Sequence, residues 1–255
     1  MSRKKSPKVL LAQAGLVVLA LLAGLAVFVA VSQDSSARQQ ASEAVANAPA
    51  PTPAPTKPPR TVALWVGDSF TMGVGAEGSG YSYPYLASVG MGWTEAIDAQ
   101  SGSGFVADGK NNAPNNVPIP ARLGDFTGKP QYVIVDGGRN DWNRDFETET
   151  APAVRAYLDG VRAKWPEAKI VLLVPFNVRS TEASSDFVQL FAEEAERLGA
   201  LVVDPVSEGW INKDAMASMI YSDDVHPNKA GHKYIAEHLV ERFKALGLVP
   251  APKQG

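Results

Sequence analysis

Val62-Ala63-Leu64-Trp65-Val66, followed at once by Gly67-Asp68-Ser69-Phe70, is the stretch from which the fold can be read. Five apolar residues without a polar alternate make a strand covered on both faces, the pattern of a parallel sheet. Working outward, similar runs recur at 132–135, 170–174 and 201–203, with a weaker one at 93–97. Helical patterns lie between and after them. One follows Pro152, aligns Val154, Tyr157, Leu158 and Val161, and stops at Pro166. A second aligns Phe187, Leu190, Phe191, Ala195 and Leu198 before Gly199, and a third runs from Asn228 through Ile235, Leu239, Phe243 and Leu246 to Gly247. Strands alternating with helices predict an α/β domain over 61–248, with a mainly parallel sheet between two helical layers and a short tail at 249–255.

The residues before this domain read differently. Residues 9–31 are apolar except for Gln13, long enough to span a bilayer, and Arg3, Lys4, Lys5 and Lys8 precede them. By the positive-inside rule the stub 1–8 stays cytoplasmic and the rest of the chain lies outside. The stretch exceeds an ordinary signal-peptide core, so an uncleaved signal-anchor is expected; cleavage at the small residues Ala44-Val45-Ala46 would secrete the same domain. Residues 32–60 are rich in Ala, Ser, Gln and Pro and read as an extended spacer. Residues 1–59 hold six basic and two acidic residues against 24 and 27 in the whole chain, so the domain itself is acidic. That argues against nucleic acid as a partner. The absence of cysteine excludes disulfides, thiolate metal sites and cysteine nucleophiles.

Ligands of parallel α/β sheets bind beyond the carboxyl ends of the strands, so the residues just after each strand carry the chemistry. Gly67-Asp68-Ser69 follows the first strand, Gly138-Arg139-Asn140-Asp141 follows the central one, and Asp223-Asp224-Val225-His226-Pro227 precedes the last helix. Singly these are a turn, a capping loop and a helix start; together they supply a nucleophile, an amide donor, an orienting acid and a base. Ser69 needs a base to take its proton, and His226 is the candidate, since His232 and His238 fall within the last helix. Asp223 or Asp224 could aim a carboxylate at the imidazole. Asp68 and Asp141 are expected to hold turns, and His232 to be a satisfied buried group. Among the five tryptophans, Trp142 beside Asn140 is the one expected to touch a substrate. The spacing of His226 and His232 is not that of a zinc helix, so neither metal nor cofactor is expected. Residues 105–130, rich in Gly, Asn and Pro, are expected to border the cleft.

These blocks resemble the SGNH (GDSL-like) hydrolases: a GDS-type serine turn, a glycine block at Ser101-Gly102-Ser103-Gly104-Phe105, a GxND at 138–141 and a DxxH at 223–226, in the family's order and over nearly all of the domain. The resemblance implies a flavodoxin-like three-layer α/β/α sandwich and ester hydrolysis or acyl transfer. It implies catalytic roles for Ser69, Asp223 and His226, the DxxH spacing selecting Asp223. It assigns an oxyanion hole to the N–H of Ser69, the Asn140 side chain and a glycine N–H, for which Gly104 is chosen with Gly102 as the alternative. No G-x-S-x-G elbow is present, so the α/β-hydrolase fold is not indicated. The expected function is an extracytoplasmic serine esterase acting on short acyl esters, O-acetyl groups on carbohydrate foremost, through an acyl-enzyme. The alternatives are acyl transfer to a surface polysaccharide and a silent, membrane-tethered binding domain. The substrate is expected to be a small-molecule or carbohydrate ester.

Overall fold

A strand that is apolar on both faces needs a helical layer on each, and the computed structural model, which describes residues 60–178 and 184–249, has that arrangement. Five parallel strands, β1 (Val62–Gly67), β2 (Thr94–Ala99), β3 (Tyr132–Asp136), β4 (Lys169–Leu173) and β5 (Leu201–Val203), form one sheet in the order β2-β1-β3-β4-β5. This is the flavodoxin-like order, in which the chain reverses its direction of winding beside β1. Gly67 and Asp136 are register partners, so the carboxyl ends of β1 and β3 open side by side at that point.

The helices are α1 (Ser69–Met72), α2 (Tyr83–Met91), α3 (Ala151–Lys164), α4 (Ser185–Leu198), α5 (Lys213–Met216) and α6 (Lys229–Ala245). Alternation along β1 divides the apolar interior in two. Ala63 and Trp65 pack with Tyr83, Ala87, Met91, Ile235, Leu239 and Phe243 of α2 and α6. Leu64 and Val66 pack on the other side with Val154, Tyr157, Leu158, Leu190 and Phe191 of α3 and α4. Burying one such side chain stabilises by about 1.5–3 kcal/mol, so the two layers hold the sheet from both faces.

The helices after β3, β4 and β5 follow their sequence signals. Gly199 caps α4 at φ +64°, and Asn228 caps α6 by accepting the Gly231 N–H at 3.0 Å. Helix α2 lies outside the patterns read from the sequence: Pro84 suits its first turn, but Val89 and Gly90 are poor helix formers. Tertiary packing makes it: a Cβ on Gly90 would sit 2.7 Å from Val240 Cγ2, so glycine lets α2 and α6 approach closely. Among the described residues no helix is long and apolar enough to cross a membrane. The expected anchor at 9–31, the stub before it, the spacer through residue 59 and the tail from residue 250 lie outside the described residues.

Candidate active site

β1 delivers Ser69 into the crevice by a tight turn. A Cβ on Gly67 would lie 2.1 Å from Thr71 Oγ1 and 2.4 Å from the Asp136 carbonyl oxygen, so only glycine fits there. Asp68 caps α1, its Oδ1 accepting the Phe70 N–H at 2.9 Å, and Gly73 at φ +89° ends the helix after one turn. Ser69 is therefore the first residue of a capped turn, nearly buried, with Oγ 2.7 Å from His226 Nε2.

His226 comes from the loop before α6, which doubles back on itself through the Tyr221 N–H bond to the His226 carbonyl at 2.8 Å. Asp223 meets the imidazole: its Oδ2 lies 2.6 Å from Nδ1, while its Oδ1 accepts the N–H groups of Val225 and His226 at 3.0 Å each. Partial burial pushes the Asp223 carboxyl up. The two backbone N–H bonds and the imidazole outweigh that and bring it down to about 2. Asp224 turns the loop in the left-handed region at φ +65°, which Asp tolerates better than most residues.

Opposite this loop lie the glycine block and the GxND turn. Asn140 donates through Nδ2 to the Ser103 carbonyl at 3.0 Å, which fixes the orientation of its amide. Of the two glycines considered as donors, Gly104 gives its N–H to the Ala107 carbonyl at 2.8 Å, and it is Gly102, at φ +77°, that lines the cleft. Glycine at 104 has another cause: a Cβ there would lie 2.3 Å from Asp141 Oδ1. That carboxylate, almost fully buried, accepts the N–H groups of Phe105, Val106 and Ala107 at 2.7, 3.0 and 2.8 Å. Asp141 thus has the structural part expected of it, holding the glycine block against the GxND turn.

Two arginines to which no role was given from sequence, Arg122 buried and Arg139 largely so, tie these pieces together. Arg122 bonds Asp98 at 2.6 Å, the Ser103 hydroxyl at 3.1 Å, the Val117 carbonyl at 2.8 Å and the Gly67 carbonyl at 3.0 Å. Arg139 pairs with Asp136 at 2.6 Å and Asp68 at 3.3 Å. Burial works against its charge, but those two carboxylates outweigh it and raise its pKa further. Burial raises the Asp68 carboxyl, more than Arg139 lowers it. One signal was available in the sequence: Asp136 ends the otherwise apolar strand Tyr132–Asp136, and a carboxylate there requires a buried partner.

His232 is fully buried, accepts the Tyr83 N–H at Nδ1 (3.2 Å) and donates from Nε2 to the Val74 carbonyl (3.0 Å). Burial depresses its pKa to about 4, so it stays neutral. Trp65, Trp93, Trp165 and Trp210 are buried, whereas Trp142 is 84 % exposed at the mouth of the cleft. Asn112, from the loop at 105–130, joins Ser101 and Gly102 in the wall of this cleft, about 720 Å³ in volume. Asn116 pins the loop by donating to the Ser101 carbonyl at 2.8 Å.

Comparisons with known proteins agree with this geometry. Residues 65–234 match the model of the GDSL-like Lipase/Acylhydrolase family. A GDSL lipase of Mycobacterium tuberculosis is 26 % identical over 186 residues, 68 % of this chain and 78 % of that protein. A family two carbohydrate esterase from Clostridium thermocellum, solved in complex with cellohexaose, superposes with a TM-score of 0.55 at 21 % identity, covering 77 % of this chain and 67 % of that one. A family two carbohydrate esterase from Cellvibrio japonicus gives 0.58 at 19 % identity, covering 76 % and 63 %. At such identities the structural likeness speaks for the fold. With the family model spanning both the serine turn and the DxxH loop, the chain belongs to the GDSL-like lipase/acylhydrolase (SGNH) family and is an ester hydrolase.

Proposed function

We propose that this chain is a serine esterase that removes short acyl groups, O-acetyl foremost, from carbohydrate outside the cytoplasmic membrane. The reading is carried by one observation, the relay Ser69 Oγ–His226 Nε2 at 2.7 Å and His226 Nδ1–Asp223 Oδ2 at 2.6 Å. With Nδ1–H donating to the carboxylate, Nε2 is left to accept the serine proton. Ser69 Oγ attacks the acyl carbon as that proton moves to His226, and Asp223, ionised down to about pH 2, stabilises the imidazolium. The negative charge on the carbonyl oxygen is met by the N–H of Ser69, the N–H of Gly102 and the Asn140 amide. Each such donor is worth about 10²–10³ in rate. His226 then protonates the departing alkoxide, and the acyl group remains on Ser69. Water attacks this acyl-enzyme with His226 as base, releasing the acid and restoring the serine.

The carbohydrate part rests on the cleft. Its wall carries Asn112, Arg144, Asn177, Ser184 and Asp186, hydrogen-bonding groups suited to hydroxyls, and the exposed Trp142 ring offers a flat apolar face to a pyranose. The cellohexaose-bound esterase with the same fold points the same way. The location rests on the basic stub followed by the apolar stretch 9–31.

The test uses the full chain with p-nitrophenyl acetate, butyrate and octanoate, and with an acetylated xylo-oligosaccharide. Acetate is expected to turn over fastest, the sugar ester to release acetate, and Ser69→Ala and His226→Ala to lose at least about 10³-fold in kcat. Preference for octanoate would overturn the short-acyl part. Equal activity of wild type and Ser69→Ala would overturn the assignment of the site. Acetyl transfer to a sugar acceptor outpacing acetate release would replace hydrolysis by transfer.

A further inference from the structure

We propose that Arg139, which is not itself a reacting group, is a positioning residue that locks the nucleophile turn and the amide-donor turn into one rigid piece; this rests on the reading of Ser69 as nucleophile. Its guanidinium reaches three separate chain segments. Nη1 donates to Asp68 Oδ2 at 3.3 Å, Nη2 to Asp136 Oδ1 at 2.6 Å and Nε to the Phe176 carbonyl at 2.9 Å. These acceptors follow β1, end β3 and follow β4. The guanidinium carbon sits 4.4 Å from the centre of the Phe70 ring and 4.6 Å from that of Phe176, at the corner where the two rings meet edge to face.

What these partners adjoin decides the role. Asp68 and Phe70 are the residues on either side of Ser69, and Arg139 itself precedes Asn140 in the chain. The Phe70 ring also packs against the His226 imidazole, with centroids 5.1 Å apart. A single side chain therefore borders the nucleophile on both sides, the amide donor through its own backbone, and the base through one ring.

The two carboxylates of the clamp are shut away from water, while the Arg139 side chain keeps 11 % exposure towards the cleft. Asp68 and Asp136 have no solvent exposure. The second oxygen of Asp136 accepts the Thr71 hydroxyl at 2.8 Å and the Tyr83 hydroxyl, while Asp68 Oδ1 holds the Phe70 N–H. With both carboxylates buried and bonded at each oxygen, the network holds its geometry, so the donors around the oxyanion are aimed before any charge develops. The planar fork is essential. A lysine ammonium carries the same charge but cannot offer a fixed fork to two carboxylates and a carbonyl at once.

The experiment compares the full-length wild type with Arg139→Lys, Asp68→Asn and the double variant. It reads the rate at which Ser69 is phosphonylated by a fluorophosphonate probe, kcat and KM on p-nitrophenyl acetate, and thermal melting. Phosphonylation depends on the nucleophile and the oxyanion donors but on neither the natural substrate nor deacylation. Arg139→Lys is expected to fold, to slow both phosphonylation and kcat by about 10–100-fold, and to leave KM within about twofold. Asp68→Asn keeps the acceptor for the Phe70 N–H and loses the anion facing Arg139. Its loss should be similar, and the losses should not multiply in the double variant.

Wild-type phosphonylation by Arg139→Lys overturns the inference. So does a loss that follows only the fraction of folded protein, or losses that multiply. Where Arg139→Lys does not fold, Asp68→Asn decides: an unchanged rate overturns the proposal and a slowed rate at constant KM supports it. A wild type that the probe does not label would instead overturn the reading of Ser69, an outcome distinct from equal labelling of both proteins.

Discussion

The two sides of the cleft are built in opposite ways. On one side, the turns after β1, β2 and β3 are held by buried charge: Asp68 and Asp136 are fully enclosed, Arg122 is 1 % exposed and Asp141 4 %. On the other, the loop bearing His226 lies at the water's edge, with Tyr221 39 % and Val225 50 % exposed and the Asp223 side chain 35 % exposed. The difference follows the work each side does. Donors to an oxyanion are useful only if fixed beforehand in a low dielectric, whereas a base must pass protons to leaving groups and take them from water. Strong buried interactions therefore gather where geometry must not change, and a short hydrogen-bonded loop suffices where protons are exchanged.

The sharpest way to break the contrast is Asp223→Asn, which touches only the exposed loop. It leaves the imidazole without its anion and favours the wrong tautomer, so kcat should fall by about 10⁴-fold while the melting temperature changes little. Kinetics and calorimetry on the same preparation would check this, and a large fall in melting temperature would show that the base loop also carries the fold. Asp141→Ala strikes the buried side instead. Three N–H groups would lose their acceptor at about 1–3 kcal/mol each. Melting is then expected to fall by about 10 °C or more, at about 2–4 °C per kcal/mol.

The smallest effect concerns pH. His232, fully buried in α6, titrates at about 4 when folded, against 6.5 for an ordinary histidine. Between those values the unfolded chain takes up a proton that the folded chain refuses, so stability is complete above pH 6.5 and falls as pH drops towards 4. The loss should reach about 3 kcal/mol, at 1.36 per pKa unit. His232→Gln should flatten that dependence, as urea titrations at pH 7, 5.5 and 4 would reveal.

Four strands were legible as continuous apolar runs, whereas β2, which carries Thr94, Glu95 and Asp98, gave only a weak signal. The last three long helices were legible because apolar residues recur at 3.6-residue spacing and end at Pro166, Gly199 and Gly247. The serine turn, GxND and DxxH stood at strand ends and before a helix, where a parallel sheet gathers loops. What stayed hidden is set by distance along the chain. Arg139 meets Asp68 across 71 residues and Arg122 meets the Gly67 carbonyl across 55, separations to which no local pattern is sensitive. Helix α2 stayed hidden for a related reason, since Val89 and Gly90 disfavour a helix that packing against β1 and α6 supports. The bond that occupies the Gly104 N–H, to the Ala107 carbonyl, is likewise invisible to a motif that offers two glycines two residues apart.

Trp142 has a practical consequence. Four of the five tryptophans are 8 % exposed or less and sit among apolar side chains, while Trp142 stands 84 % exposed beside Asn140. The red-edge part of the intrinsic fluorescence therefore comes from a single indole at the entrance to the cleft. Any molecule that docks there will shield that indole from water, shift its emission to shorter wavelength and protect it from acrylamide or iodide quenching. The protein thus carries its own optical reporter of occupancy, readable without a label and without turnover, with which candidate sugars can be ranked before their esters are made.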